Sequence, residues 1–110
     1  MHSFSQSAVT PSSDAYAIVT VRGDVDRDTA GRLWQYLGYL IVQGHHHIVL
    51  DLAGMVLIDS AGVNVITRAS AWARQDGGDL LLRSASPSVV ELLELAGLSH
   101  DQMTDPPPGD

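Results

Sequence analysis

Apolar side chains switch repeatedly along the chain between the period of a strand and the period of a helix. Tyr16-Ala-Ile-Val-Thr-Val21 is short and β-branched and closes on Arg22-Gly23-Asp24, the pattern of a strand running into a turn. Ser3–Val9 predicts an earlier strand, joined to it by a hairpin loop at Pro11-Ser12-Ser13-Asp14. Between Thr29 and Gln43 the period lengthens. Leu33, Leu37, Leu40 and Ile41 fall at i, i+4, i+7 and i+8, the apolar stripe of a helix. Asp26 and Asp28 lie near its start, where carboxylates suit the dipole and cap free N–H groups, and Gly44 follows the last periodic residue. Gly31 and Gly38 fall on nearly one face of this helix. Each costs about 1 kcal/mol relative to Ala, which predicts that something packs close there.

His47-Ile-Val-Leu-Asp-Leu52 is apolar on both faces in its middle, as in a central covered strand. Ala53-Gly54 predicts a turn, followed by the short apolar run Met55–Ile58. Asp59-Ser60-Ala61-Gly62 then opens a helix through about Gln75. One of its stripes is Val63, Ile66, Ala69 and Ala73, and a second is Val65, Ala69 and Trp72. Asp76-Gly77-Gly78 ends it, and Asp79–Arg83 is the next strand. The last helix has Ser86 as N-cap and Pro87 at its first position, or a capping box at Ser88 and Glu91. Its stripe is Val89, Leu92, Leu93 and Ala96, and Gly97 stops it. Strand–helix–strand units with short loops imply parallel pairing and right-handed crossovers. The expected fold is α/β, a mixed but mostly parallel sheet of about four strands with helices mainly on one face. Residues 1–100 form this single domain, and 101–110, with three successive prolines, form a disordered tail.

The 110 residues include no cysteine, which excludes disulfides, thiolate metal sites and a cysteine nucleophile. Thirteen acidic residues stand against six basic ones, all of them arginine, for a net charge of −7. That balance disfavours nucleic acid and anionic membrane and makes a protein the leading class of partner. No apolar run is long enough to span a bilayer, and Met1–Gln6 lacks the order of a signal peptide, so a cytoplasmic location is expected.

Ser60 is the first candidate for chemistry. It sits where an apolar strand turns into a helix, so its hydroxyl is either a plain N-cap or an exposed group beside the positive end of the helix. A phosphate added there is tolerated by the helix but not by an interface facing Asp24, Asp26 and Asp59. A hydrolase nucleophile is disfavoured, because Asp-Ser-Ala-Gly lacks the glycine two residues before the serine that a nucleophile elbow requires. The histidines at 45–47 are too far along the preceding strand to act as base. Adjacent residues on an extended chain point to opposite faces, so these three do not converge on a metal, and no metal or other cofactor is expected. Trp34 and Trp72 read as packing residues, with Trp72 a partner contact if exposed.

The stretch Val49-Leu-Asp-Leu-Ala-Gly-Met-Val-Leu-Ile-Asp-Ser-Ala-Gly62 resembles the STAS domain of bacterial anti-sigma factor antagonists. Gly23-Asp-Val-Asp26, the pair Gly77-Gly78 before Leu80-Leu-Leu, and Ser86-Pro87 through Leu98 extend the resemblance over about Tyr16–Leu98. It implies a noncatalytic switch that binds an ATP-using serine kinase, itself an anti-sigma factor, and so frees a sigma factor. Phosphorylation of Ser60 ends that binding and a serine phosphatase restores it. The resemblance further implies a partner surface of Asp24, Asp26, Asp59, Ser60, Ala61, Gly62 and Val65, and a monomer or weak dimer. Other STAS domains are nonphosphorylated subunits of membrane lipid-transport complexes, which is the alternative within the same fold.

Overall fold

Burial alternates along β1 (Ala17–Val25): Ala17, Val19 and Val21 are shut from solvent, while Ile18 and Thr20 between them are half-buried. The same alternation buries Ile48, Leu50 and Leu52 in β2 (His47–Ile58), and Leu80 and Leu82 in β3 (Asp79–Arg83). One face of the sheet is therefore core and the other is partly open, the signature of helices covering a single side. The computed structural model describes residues 16–104. The strand expected at Ser3–Val9 and the loop at Pro11–Asp14 lie outside the described residues.

Within them the strand order is β1-β2-β3-β4, with β4 at Met103–Thr104, and every neighbouring pair is parallel. Parallel neighbours need a crossover, and helices supply it. α1 (Ala30–Val42) joins β1 to β2, and α2 (Ser60–Gln75) joins β2 to β3. α3 (Pro87–Leu95) precedes the return to β4. The stripe Leu33, Leu37, Leu40 and Ile41 is wholly buried, and Ile66, Ala69 and Ala73 of α2 join it in one core. Ser86 caps α3 by accepting from the Val89 N–H, with Pro87 next in line; the alternative box at Ser88 is not used.

Three local expectations change. Ala53-Gly54 does not turn. β2 runs straight through it, with Gly54 paired to Arg22, and the irregularity is taken up by register shifts in the ladder with β1 at Thr20/Arg22 and Gly23/Asp24. Of the two glycines in α1, only Gly38 meets a neighbour: a Cβ there would lie 3.1 Å from the Trp72 ring, whereas Gly31 has nothing within 4 Å. Trp72 also packs on Trp34, their rings 5.5 Å apart, and Arg68 lies 4.9 Å over Trp34, so both tryptophans serve the α1–α2 contact.

The third change concerns the tail. Asp101 was expected to begin a disordered segment, but His100–Gln102 forms a 3-10 turn capped by Ser99, and Met103–Thr104 pairs with Leu82–Arg83. The cause is Gln102, which is buried and fully bonded. Its Nε2 donates to Ser70 Oγ (2.7 Å) and to the Leu80 carbonyl (2.9 Å), and its Oε1 accepts from Ser99 N–H (3.0 Å). A satisfied polar side chain thus anchors a segment whose composition reads as solvated. Residues 105–110 lie outside the described residues.

Candidate functional site

β1 and β2 outrun β3. The ladder between β1 and β2 continues to Val25 and Ile58, while that between β2 and β3 stops at Asp51. The carboxyl ends of β1 and β2 therefore stand together where α1 and α2 begin, the end at which open parallel sheets place their sites. Asp59 joins the two loops there. Its N–H donates to the Val25 carbonyl (3.2 Å). Its Oδ1 accepts from Ala61 N–H (2.8 Å) and Gly62 N–H (3.2 Å), and its Oδ2 accepts from Arg27 N–H in the β1–α1 loop (3.2 Å).

Asp59, not Ser60, is thus the N-cap of α2. Ser60 occupies the first helical position, is exposed, and its hydroxyl makes no hydrogen bond among the described residues. The plain-cap role weighed for it from the sequence is taken by its neighbour. In the adjoining loop, Asp26 Oδ1 accepts from Asp28 N–H (3.0 Å) and Thr29 N–H (3.2 Å). The Thr29 hydroxyl accepts from Asp26 N–H (2.9 Å) and donates to the Asp24 carbonyl (3.0 Å). The loop is fixed by its own side chains, with the Asp24 side chain left exposed.

Gly62 and Val65 are corrections to the expected partner surface. A Cβ on Gly62 would lie 2.7 Å from both Ile58 Cγ1 and the Val25 carbonyl oxygen, and Val65 is 9% exposed within the core. Three apart on a helix, they share its inward face with Ile66 and Ala69 and support the site from beneath. Ser60 and Asp24 are exposed, whereas Asp26, Asp59 and Ala61 are half-buried.

The structure adds a feature that the sequence reading assigned to the core. Beside Ser60 an apolar groove of about 410 Å³ opens between α2 and α3, walled by Ile58, Val63, Leu92 and Leu95 with Asp59 and Ser60 at its mouth. Leu95 is 81% exposed and Leu92 45%; of the α3 apolar positions only Leu93 is buried. The sequence offers only the excess of apolar positions on a nine-residue helix, Val89, Val90, Leu92, Leu93 and Leu95, more than one buried face can take. Elsewhere, His47 and Ser60 sit at opposite ends of β2, His47 meeting Tyr16 edge-on and His46 lying 3.7 Å from Asp76. Ser70, the other serine of α2, is buried against Gln102. Among the described residues no three His, Cys, Asp or Glu side chains are grouped to hold a metal, and no helix is long and apolar enough to cross a membrane.

With this geometry in place, comparison with known proteins gives a consistent family. The model of the family described as "Mlab, STAS domain" matches residues 9–105. An anti-sigma F factor antagonist of Paenibacillus polymyxa is 30% identical over 82 residues, covering 74% of this chain and 70% of its own. BtrV of Bordetella bronchiseptica, assigned as an anti-sigma factor antagonist, is 32% identical over 84 residues, 76% of this chain and 72% of its own. Among solved structures, the anti-sigma factor antagonist SpoIIAA in its unphosphorylated form superposes with a TM-score of 0.77 at 19% identity, over 96% of this chain and 91% of its own.

Proposed function

The chain belongs to the STAS-domain family, and from that premise we propose that it is an anti-sigma factor antagonist switched by phosphorylation at Ser60. Unmodified, it binds an anti-sigma factor that is also an ATP-using serine kinase, and so releases a sigma factor in the cytoplasm. The exposed Ser60 hydroxyl beside an apolar groove is the observation that carries this proposal. Being unengaged, the Ser60 oxygen is free to attack the γ-phosphorus of a partner-bound ATP, with ADP leaving. Both Asp59 oxygens accept backbone N–H bonds as the cap of α2, and in this reading the serine proton passes to a base of the partner. The product carries nearly two negative charges at the mouth of the groove and next to Asp59. The start of α2 accepts that charge, so the domain stays folded. A partner side chain seated in the groove would have to desolvate the phosphate, and binding ends. A serine phosphatase resets the switch; the domain itself catalyses nothing.

Purified anti-sigma factor kinases of the host genome provide the test. Ser60→Ala should bind its kinase at least as tightly as the parent and accept no phosphate. Ser60→Asp should bind at least about tenfold more weakly, or about 1.4 kcal/mol, with an unchanged circular dichroism spectrum. Equal affinity of the two variants, or phosphate found at another residue, would remove Ser60 from the mechanism. A second reading within the same fold is a nonphosphorylated STAS subunit of a membrane lipid-transport complex. Co-purification with a transporter in place of a soluble kinase would decide for it.

A further inference from the structure

The apolar groove does not end at Ser60. Below it, along the same side of α2, a second hollow of about 280 Å³ lies between the helix and the segment after α3, lined by Thr67, Ser70, Arg74, Leu98 and Gln102. Ala96 borders both hollows, so they adjoin along one side of α2 and are described together as a furrow with an upper and a lower half. From Ser60 to Arg74 the helix advances about 21 Å. The upper half is apolar, and the lower half mixes the polar groups of Thr67, Ser70, Arg74 and Gln102 with the apolar Ala71 and Leu98.

The polar groups of the lower half differ in how far they are already engaged. The Gln102 amide is saturated, the Ser70 oxygen accepts from it, and the Thr67 hydroxyl donates to the Asn64 carbonyl (3.0 Å). Arg74 is half-exposed, and its Nε forms an ion pair with Asp79 Oδ1 at 3.7 Å, a separation too long for a hydrogen bond. Its terminal nitrogens hold no partner among the described residues. No acidic residue lies within α2 itself, so the carboxylates beside Arg74 are Asp76 at the helix C-cap and Asp79, its ion-pair partner, and neither occupies the two terminal nitrogens. A planar guanidinium with an open fork selects a carboxylate in two-point geometry.

We propose that the whole furrow is a single bipartite docking site for one segment of the anti-sigma factor. The segment seats an aliphatic side chain between Val63 and the leucines Leu92 and Leu95, and sets an Asp or Glu carboxylate against Arg74. This rests on the antagonist function proposed above and adds a specificity element to it. The reaction at Ser60 requires close approach of a kinase, whereas the Arg74 end, about four helical turns away, distinguishes a kinase carrying the acidic residue from one lacking it.

The test uses the intact chain and the purified kinase that binds it. Arg74→Glu should weaken binding about tenfold or more, and the loss should shrink at high salt. In steady-state phosphorylation of Ser60, KM for the antagonist should rise with kcat unchanged, because Arg74 is remote from the hydroxyl. Thr67→Trp fills the lower half by bulk alone, adds no charge and leaves the Arg74–Asp79 contact in place; it should weaken binding similarly, so it decides the matter if Arg74→Glu melts early. Binding of both folded variants within twofold of the parent, while Val63→Asp abolishes it, would overturn the proposal for the lower half alone. Failure of the parent chain to bind any anti-sigma kinase would instead overturn the antagonist function, and this proposal with it. A change from dimer to monomer in Arg74→Glu would assign the furrow to a second copy of the chain and also overturn the proposal.

Discussion

Replacing Gly62 by alanine puts the packing of α2 onto the strand ends to a quantitative test. The added Cβ would stand 2.7 Å from Ile58 Cγ1, 2.7 Å from the Val25 carbonyl oxygen and 2.8 Å from Val25 Cγ1. Ordinary contacts of these types relax at about 3.3–3.6 Å, so the first turn of α2 must withdraw by roughly 0.6–0.8 Å. One obstacle is backbone and the side chains are short and β-branched, so none can swing aside. Overpacking of this kind costs about 1–3 kcal/mol. Withdrawal also stretches the bond from Asp59 N–H to the same Val25 carbonyl, worth about 1 kcal/mol. Alanine returns about 1 kcal/mol of helix propensity. The net expectation is a loss of about 1–3 kcal/mol, a fall in Tm of about 4 °C or more. Gly31→Ala is the internal control: it lies in α1 with open space around it and should stabilise by about 0.5–1 kcal/mol. Urea denaturation of both variants, with the m-value checked for constancy, gives the comparison. A Gly62→Ala protein as stable as the parent would refute the close seating of α2 on the ends of β1 and β2.

Gln102→Ala should cost about 1–3 kcal/mol, because it leaves the Leu80 carbonyl and Ser99 N–H without their partner, and hydrogen exchange should show the 99–104 segment opening before the rest. Burial by itself would raise the Asp51 pKa, but the Ala53 N–H and the Arg83 guanidinium at 2.9 Å outweigh it and hold it below its ordinary value. A depressed carboxylate stabilises the fold above its unfolded pKa and loses that contribution as pH falls through the folded one. Asp51→Asn should therefore cost up to about 1 kcal/mol at neutral pH, and the difference from the parent should close on acidification below about pH 4, as read by melts across a pH series.

The helices and their faces were legible wherever burial followed a single period. Leu33, Leu37, Leu40 and Ile41 lie in the core because one side of α1 meets the sheet along its length. The Ser86–Pro87 start was legible because capping is local chemistry. Gly54 misled because a glycine marks a turn and a strand interior equally well, and only the position of β1 decides between them. Val65 and Gly62 belong to the partner surface that the resemblance implies, whereas helix geometry turns them inward. The groove was hidden for the opposite reason. Leu92 fits a core stripe by spacing, but the nine-residue α3 buries only Leu93 and leaves Leu92 on the wall of the groove. Gln102 carried no periodic signal at all, since its burial depends on Ser70, 32 residues away.

The order of strands across the sheet is also their order in the chain, and this bears on how the protein is made. Each described strand after β1 finds its parallel neighbour already laid down as it leaves the ribosome, and none of the four has to be inserted between two others. Growth is therefore one-sided, with the newest strand always the exposed edge. Until Gln102 is synthesised, the nascent domain carries β3 as an open flank and α2 with the Ser70 hydroxyl unmatched. Among the described residues the last stitch is the two-residue β4, so a chain ending just before Met103 would keep the nearly complete core and the whole Ser60 end but leave the β3 edge open to pairing with another nascent copy.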